Sequence, residues 1–417
     1  MNKDLIIQNI DKDLDGIIKI NGQTIKVPFS TLGDVVHITS LNTKNKIPIA
    51  NMQLIKASTD RQLPICKYYG RCGGCKGQHF QTKDYLNYKV QNIKNIFSFY
   101  KFPFPEFINM EIFHHMESSK GRRRIVLGVM KNKIGFKEYH SHNIIPIDFC
   151  PIATDAINTV IALLQKYISN HNAILQINEI IISDIQGEIN LHLKSSTKAE
   201  LTQLQVLQPL FNTEVMQQIF WEYKKELTPI IIKKELQLVY GNYTVPFISG
   251  GFMQAEEFGE KILIKLISQA LQDQTKVLDL FCGFGAYALS LAGKLKVHGV
   301  DYNAYPLKIL GQQPNVTTEV RNLFANPYCE KELKQFSAVI INPPRIGARA
   351  QVNEIASVKG SKIKDVIMVY CDVSSAVRDL KILKQSQVNN FQIIRMAMIE
   401  QFIFSKHVEL FIHLQKS

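Results

Sequence analysis

The stretch VLDLFCGFG, residues 277–285, joins a predicted buried strand to a turn of the form Gly-x-Gly. Gly283 and Gly285 would let the backbone approach a ligand closely, and the helix predicted from ALSLAGKL would point its positive end at the turn. Asp301 ends the next predicted strand, where its carboxylate could accept hydrogen bonds from ribose hydroxyls. A dinucleotide site would carry a third glycine, which is missing here. The motif therefore favours S-adenosylmethionine over a nicotinamide cofactor.

Further strand and helix patterns follow this motif in alternation. The predicted strands are KVLDL, KVHGV, AVIIN and VIMVY, and helices are predicted between them. Such alternation predicts a doubly wound parallel sheet, a Rossmann-like domain that we assign to residues 246–417. Ligands bind at the carboxyl ends of the strands in these sheets. Asp301, Asn342 and Cys371 all fall at such ends.

Cys371 precedes the predicted helix SSAVRDLKIL. A helix N-terminus lowers the pKa of a thiol, so Cys371 is predicted to be a nucleophile, with a buried structural cysteine as the alternative. Asn342 opens the turn Asn-Pro-Pro-Arg, which can present polar groups to a base. Arg345 stands where amino-group methyltransferases carry an aromatic residue, which disfavours adenine N6 chemistry. Cys282 and Cys329 are expected to be packing residues.

The first part of the chain has a different texture. Residues 1–57 contain short strand-like runs separated by turns such as Asn21-Gly22, which predict a small OB-like β-barrel. Barrels of this kind often bind oligonucleotides, although a purely structural role is the alternative. Residues 58–245 are predicted to form a mixed α+β domain. The chain as a whole is thus predicted to be a multidomain α/β protein.

Basic charge is concentrated in one region. The net charge is +13, and residues 61–140 hold 15 Lys and Arg against 5 Asp and Glu. The same region is rich in aromatic residues, among them Phe80, Tyr85 and Phe97, which suits single-stranded or looped RNA. A solvated basic face above core aromatics is the alternative. Three consecutive arginines are a candidate phosphate clamp: Arg122, Arg123 and Arg124.

Three of the seven cysteines are clustered, at Cys66, Cys72 and Cys75. This density predicts a metal or cluster site that needs a fourth ligand, for which Cys150 and His79 are the candidates. The spacing leaves zinc and iron–sulfur both open. The odd count and the charged start MNKDLIIQNIDKD do not indicate a secreted disulfide framework. No apolar run is long enough to span a membrane, so we expect a cytoplasmic protein, and we expect it to be monomeric.

Together these motifs resemble the RNA uracil-C5-methyltransferases, specifically the class with an N-terminal TRAM domain and a [4Fe–4S] cluster that acts on 23S ribosomal RNA. The resemblance runs from DGIIKINGQTIKVPFSTLGDVV, through the cysteine cluster and DLFCGFG, to CDVSSAVRDL and QFIFSKHVEL. It implies that residues 1–57 are a TRAM domain and that residues 58–245 bind RNA and an iron–sulfur cluster. It also selects Cys150 as the fourth cluster ligand.

The resemblance implies roles for single residues as well. Cys371 would attack C6 of uracil, and Glu409 would remove the C5 proton after methylation. The residues that it places at S-adenosylmethionine are Gln254, Phe281, Gly283, Gly285, Asp301, Asn322 and Asn342; Arg345 joins the three consecutive arginines as a candidate RNA contact. The TRAM domain and the cluster favour 23S rRNA over tRNA, on the expectation that tRNA-type relatives resemble only the central and catalytic parts.

Three positions depart from the family pattern. The family usually has an acidic residue where this chain has Asn322 and Asn342, and it has Asn after the nucleophile where this chain has Asp372. Lost charges would weaken cofactor or base binding, and Asp372 would oppose thiolate formation. The alternatives are therefore a catalytically weakened or altered-base member that mainly binds RNA, and a tRNA uridine methyltransferase.

Overall fold

The computed structural model describes residues 4–44, 46–106, 108–118 and 120–417, so the first three residues of the predicted TRAM domain lie outside it. The first sheet has six strands in the order β1-β5-β6-β4-β3-β2. It confirms the short strands and turns predicted there. Pairing that would close the sheet into a barrel stays a prediction. The strands are β1 (Leu5–Ile6), β2 (Asn9–Ile10), β3 (Gly16–Ile20), β4 (Gln23–Val27), β5 (Val35–Asn42) and β6 (Ile49–Lys56).

The turn between β2 and β3 ties this sheet to the rest of the chain through ion pairs. Asp13 binds Lys26 within the sheet and Lys406 near the C-terminus, both at 2.7 Å. Asp15 binds Lys76 beside the cysteine cluster at 2.8 Å. Burial opposes ionisation of Asp13, but the two ammonium groups hold the pKa of this carboxyl well below its ordinary value.

Helix α1 (Thr82–Phe99) and strand β7 (Glu111–Phe113) follow. The buried positions of α1 include Tyr85, Lys89, Ile93 and Phe97, which recur at intervals of four residues and so form one face. This face packs on the C-terminal core described below. Phe80, Tyr85 and Phe97 are fully buried, which makes them core aromatics and corrects the expectation that they stack on RNA bases.

The second sheet has seven strands in the order β10-β9-β8-β11-β12-β13-β14, with its helices packed on the core around Trp221. Its strands are β8 (Arg124–Met130), β9 (Lys133–Lys137), β10 (Ile144–Pro146), β11 (Ile177–Ile185), β12 (Glu188–Ser195), β13 (Met216–Tyr223) and β14 (Glu226–Ile232). Its helices are α2 (Asp155–Tyr167), α3 (Asn172–Leu175) and α4 (Leu201–Phe211). A two-stranded sheet, β15 (Gln237–Tyr240) with β16 (Tyr243–Pro246), leads out of this region.

The last sheet has eight strands in the order β19-β18-β17-β20-β21-β23-β22-β7. The strands β17 (Lys276–Leu280), β18 (Lys296–Asp301), β19 (Val316–Val320), β20 (Ala338–Ile341) and β21 (Asp365–Tyr370) are parallel, as predicted. Two further strands extend the sheet beyond β21, β23 (Glu409–Lys416) and β22 (Phe391–Ile399). Strand β23 runs antiparallel to both β21 and β22. The helices are α5 (Glu257–Ala270), α6 (Ala286–Ala292), α7 (Ala304–Leu310), α8 (Glu330–Leu333), α9 (Arg349–Ser357) and α10 (Val373–Lys384).

This sheet recruits elements from outside the range 246–417. Strand β7 pairs in parallel with β22. Two large apolar cores cover the two faces of the sheet, and on one of these faces α1 packs on α10. The other face packs on α5, α6 and α7. All six residues of β21 are buried, as expected for a central strand covered on both faces. None of the described helices combines the length and apolar character that crossing a bilayer requires.

Candidate active site

The loop after β17 has the conformation that its glycines allow. Gly285 begins α6 with a φ of 80°, and a Cβ there would lie 2.5 Å from the Leu310 side chain, so only glycine fits. Phe281 also has a positive φ, of 61°. The backbone N–H of Gly283 donates to the Asp301 carboxylate at 3.0 Å. The structure thus brings Phe281, Gly283, Gly285 and Asp301 together at the carboxyl ends of β17 and β18.

Asp279 is a buried acid beneath this loop that sequence analysis did not single out. It is fully buried, and neither carboxylate oxygen makes a well-formed hydrogen bond with a described residue. Burial raises the pKa of Asp279 to about 8, and nearby Asp301 adds to the shift. A backbone hydrogen bond from Ala288 offsets the rise in part, and a cationic ligand group at this position would stabilise the carboxylate further. The only sequence signal was the acidic residue within an otherwise apolar strand.

Each of the two asparagines follows a parallel strand of this sheet, and β18 and β17 lie between those two strands. The side chain of Asn322, after β19, accepts a hydrogen bond from the N–H of Phe324 at 3.1 Å. The Phe324 ring lies 5.5 Å from that of Phe281. Asn342, after β20, donates its backbone N–H to the carbonyl of Leu280 at 3.3 Å. Both asparagines therefore lie at the edge of the sheet that carries the glycine loop.

Cys371 and Glu409 are neighbours across two antiparallel strands. Tyr370 pairs with Leu410 at the end of the β21–β23 ladder, and the next register position brings Cys371 opposite Glu409. Burial and the charge of Glu409 raise the pKa of Cys371 to about 11, while Arg345 opposes the shift.

The expectation that a helix N-terminus lowers the pKa of Cys371 is wrong. Asp372 caps α10 by accepting the N–H of Ser375 at 2.7 Å, so a carboxylate lies next to the thiol. Its charge raises the pKa of Cys371 further, in the direction expected from the sequence. Arg345 is the cation that acts in the other direction.

Glu409 is held by a buried amide network. The amide nitrogen of Gln401 donates to the Glu409 carboxylate at 2.7 Å and to the side-chain oxygen of Gln254 at 3.0 Å. The amide nitrogen of Gln254 donates to the Tyr287 hydroxyl. Burial raises the pKa of Glu409 to about 7, and donation by Gln401 limits the rise. Gln254 is thus placed beside Glu409, while Gln401 was not recognised from the sequence.

A buried lysine fixes the loop between β22 and β23. The Lys89 ammonium, on α1, pairs with Glu400 at the start of the loop and donates to the His407 carbonyl near its end, at 2.6 Å. Burial lowers the pKa of His407 to about 4, and Arg345, 3.5 Å from its ring, adds to this effect. The Phe404 carbonyl accepts backbone hydrogen bonds from residues 76 and 77, so this loop also contacts the cysteine segment.

The four predicted cysteine ligands line one cavity of about 330 Å³. Burial raises the pKa of Cys75 to about 12, and the other three cysteines add to the shift. His79, the alternative ligand, is not among the lining residues and instead contacts the Tyr69 hydroxyl at 2.5 Å. The thiols thus share this cavity with polar side chains that include Gln78 and His407, but not with His79. The lining cysteines are Cys66, Cys72, Cys75 and Cys150.

The three consecutive arginines do not act as one clamp. Arg123 forms an ion pair with Glu260 at 2.8 Å and donates to the carbonyl of residue 254. Arg122 and Arg124 line the cysteine cavity, as does Arg345, which follows β20 of the eight-stranded sheet.

Two further cysteines were expected to be packing residues. Cys282 is buried, as expected, whereas Cys329 is exposed, which corrects the expectation for Cys329.

Comparison with known families identifies two regions of the chain. A family described as the TRAM domain of tRNA (uracil(54)-C(5))-methyltransferase matches residues 4–59. A methyltransferase small domain matches residues 249–358. An RNA methyltransferase of Brucella suis is 31% identical over 97% of this chain and 96% of its own length. A 23S rRNA (uracil(1939)-C(5))-methyltransferase, RlmD of Mannheimia succiniciproducens, is 25% identical over 98% and 95%.

Among solved structures, the tRNA (uracil-54, C5)-methyltransferase of Pyrococcus abyssi, in complex with S-adenosyl-L-homocysteine, has the same fold. Its TM-score is 0.76 at 21% identity, and the match covers 99% of this chain and 100% of that one. The match to a tRNA-type TRAM family overturns the expectation that such relatives resemble only the central and catalytic parts. The presence of a TRAM domain therefore does not distinguish an rRNA from a tRNA substrate.

Proposed function

Because this chain belongs to the RNA methyltransferases with an N-terminal TRAM domain, we propose that it methylates C5 of a uridine in RNA, with S-adenosylmethionine as the donor. The observation that carries the proposal is the juxtaposition of Cys371 and Glu409 at the sheet edge that also carries the glycine loop. A thiol and a carboxyl in this relation supply the nucleophile and the base that substitution at C5 requires.

The proposed reaction proceeds through a covalent bond to Cys371. Uracil C5 is a weak nucleophile until a thiolate adds to C6, and the Arg345 charge favours that thiolate. C5 then accepts the methyl group that S-adenosylmethionine supplies. Glu409 takes the proton from C5, the double bond re-forms, and the C6–S bond breaks to release Cys371 and 5-methyluridine. The target base must leave its stack to reach a site this buried.

The glycine loop would hold the methyl donor. Asp301 would accept hydrogen bonds from ribose hydroxyls, and the open space above Gly283 leaves room for the ligand. Asp279 would face the cationic amino group, which would supply the side-chain partner that this fully buried carboxyl does not have among the described residues. The family resemblance places four further residues at the methyl donor: Gln254, Phe281, Asn322 and Asn342.

The cysteine cavity would hold a [4Fe–4S] cluster. Four thiols line it, and four thiolates are the usual ligands of such a cluster. In the described residues no three of these sulfurs lie within 4.8 Å of one another. Zinc–sulfur bonds of about 2.3 Å would bring the sulfurs of a tetrahedral site to about 3.8 Å. A single zinc ion would therefore require the cysteine side chains to move closer together, and the choice of a cluster rests on the family resemblance. Arg122 and Arg124, beside this cavity, are proposed RNA contacts.

We favour 23S rRNA as the substrate, because a full-length relative is named for that reaction. A tRNA is the second candidate, since the TRAM region matches a family named for tRNA. The test is to incubate anaerobically purified protein with methyl-deuterated S-adenosylmethionine and either unmodified 23S rRNA or a tRNA pool, followed by nucleoside mass spectrometry.

Each outcome of this experiment separates the alternatives. Labelled 5-methyluridine in rRNA alone supports the favoured function, and label in tRNA alone supports the second candidate. A different labelled base would indicate that Asn342 alters base choice. No label in either RNA, with the cluster intact, would favour a lapsed enzyme that mainly binds RNA.

A further inference from the structure

We propose that Gln401 is a positioning residue that holds the Glu409 carboxylate in place for proton abstraction; the inference rests on the proposed function. Gln401 and Glu409 are both buried, and the hydrogen bond between them measures 2.7 Å. The other acceptor of the same amide is Gln254. Because the Gln401 amide nitrogen donates to both groups, it fixes one carboxylate oxygen and leaves the rest of the Glu409 carboxyl for the substrate.

Two features keep Gln401 from moving away. Its neighbour Glu400 is paired with the buried Lys89, which also binds the far end of the loop. On the other side, Gly259 of α5 packs directly on Gln401, and a Cβ at Gly259 would lie 2.9 Å from both the Cβ and the Oε1 of Gln401. A helix interior normally favours alanine over glycine, so this glycine leaves room that the Gln401 side chain uses.

The proposal predicts a kinetic signature at one group. Hydrogen-bond donation to an ionised carboxylate favours the charged form, so removal of the donor should raise the pKa of Glu409 above its value of about 7. Since the base must be ionised, turnover would then be lost at low pH and recovered at high pH. The other titratable groups that face Glu409 are Cys371 and, beyond Gln254, Tyr287; the pKa of each is raised well above that of Glu409, so their titration lies outside the acid limb.

The first test is Gln401→Met, which keeps the volume and removes the donor. We measure the single-turnover rate of 5-methyluridine release against pH and expect its acid limb to move up by about one pH unit. At pH values below the limb the variant should then be roughly tenfold slower than wild type, and above the limb the two rates should be equal. Infrared difference spectroscopy of the free enzyme should show the carboxyl band, identified as the band missing in Glu409→Gln, titrating at correspondingly higher pH. Gly259→Ala, which displaces Gln401 without altering it, should shift both readouts in the same direction.

The matched control is Gln351→Met. Gln351 is equally buried and hydrogen-bonds the backbone of Tyr328, far from Glu409 in the fold. The Gln351→Met variant should have a lower melting temperature than wild type, with the acid limb of its rate profile and its infrared band unchanged. If Gln401→Met does not fold, the pH profile and the infrared titration of Gly259→Ala test the proposal instead. An unmoved limb and band in an active, folded variant would overturn the inference alone, whereas a wild type that forms no 5-methyluridine would overturn the proposed function.

Discussion

Cys371 lies opposite Glu409 at the ends of two antiparallel strands, one register step beyond the pair Tyr370 and Leu410. The Glu409 charge adds to burial in raising the pKa of Cys371. The proposed reaction requires the thiol to add at one carbon of a pyrimidine and the carboxyl to take the hydrogen from the adjacent carbon. The following predictions test the groups around this pair.

Replacement of Cys371 by alanine should abolish methylation and leave RNA affinity largely unchanged, because the thiol forms the covalent bond but contributes little to binding. Filter binding and nucleoside mass spectrometry measure the two effects. Cys329→Ala is the matched control, since Cys329 is an exposed cysteine outside the site, and it should behave as wild type. Methylation by Cys371→Ala at the wild-type rate would contradict the nucleophile assignment.

Arg345→Met should slow the reaction most at neutral pH. The guanidinium lowers the pKa of Cys371, so its loss should raise that pKa further above about 11 and reduce the thiolate fraction. Because a thiol ionises as pH rises, the defect should shrink in alkaline buffer. Alkylation of Cys371 by iodoacetamide, followed against pH, measures the thiolate directly. Arg349→Met, which removes an exposed arginine of the neighbouring helix, should leave that profile unchanged.

Lys89→Met should destabilise the fold by about 3–5 kcal/mol, because it leaves the buried Glu400 carboxylate without its partner. The measurement is the shift in thermal unfolding under matched conditions. The double variant Lys89→Met with Glu400→Gln should recover part of the loss, since it removes the uncompensated charge. A double variant that is less stable than Lys89→Met would show that the ion pair is not the cause.

Cys150→Ser should lose iron and sulfide, whereas His79→Ala should keep them, because Cys150 lines the cavity of thiols and His79 does not. Anaerobic purification, iron and sulfide analysis and the visible absorption spectrum check this, with about four irons per chain expected in the wild type. Zinc without sulfide in the wild type would contradict the cluster assignment.

The catalytic sheet could be predicted from the sequence because its signals are local. The apolar strands of VLDL and VIMVY, followed by turns and helices, lie within short windows. Strand β7 could not be predicted, because three residues give no periodicity and their pairing with β22 depends on a distant part of the chain.

The candidate site could be predicted in part. The glycine loop, Asp301 and Cys371 lie at strand ends, where such residues are expected to act. The pairing of Lys89 with Glu400 spans 311 positions, and Gln401 looks like any polar residue after a strand, so neither gives a local signal. The raised pKa of Cys371 could not be predicted either, because it comes mainly from burial and from Glu409, which lies 38 positions away in the sequence, and only in small part from the cap residue Asp372.

The central claim is the covalent bond between Cys371 and uracil, and the most direct measurement is to trap it. Wild-type protein would be incubated with S-adenosylmethionine and RNA that contains 5-fluorouridine, whose fluorine Glu409 cannot remove as a proton. We predict a denaturation-resistant complex whose RNA-derived mass maps to the peptide that contains Cys371. A complex that maps elsewhere, or no complex with RNA that the protein methylates in its unfluorinated form, would contradict the account.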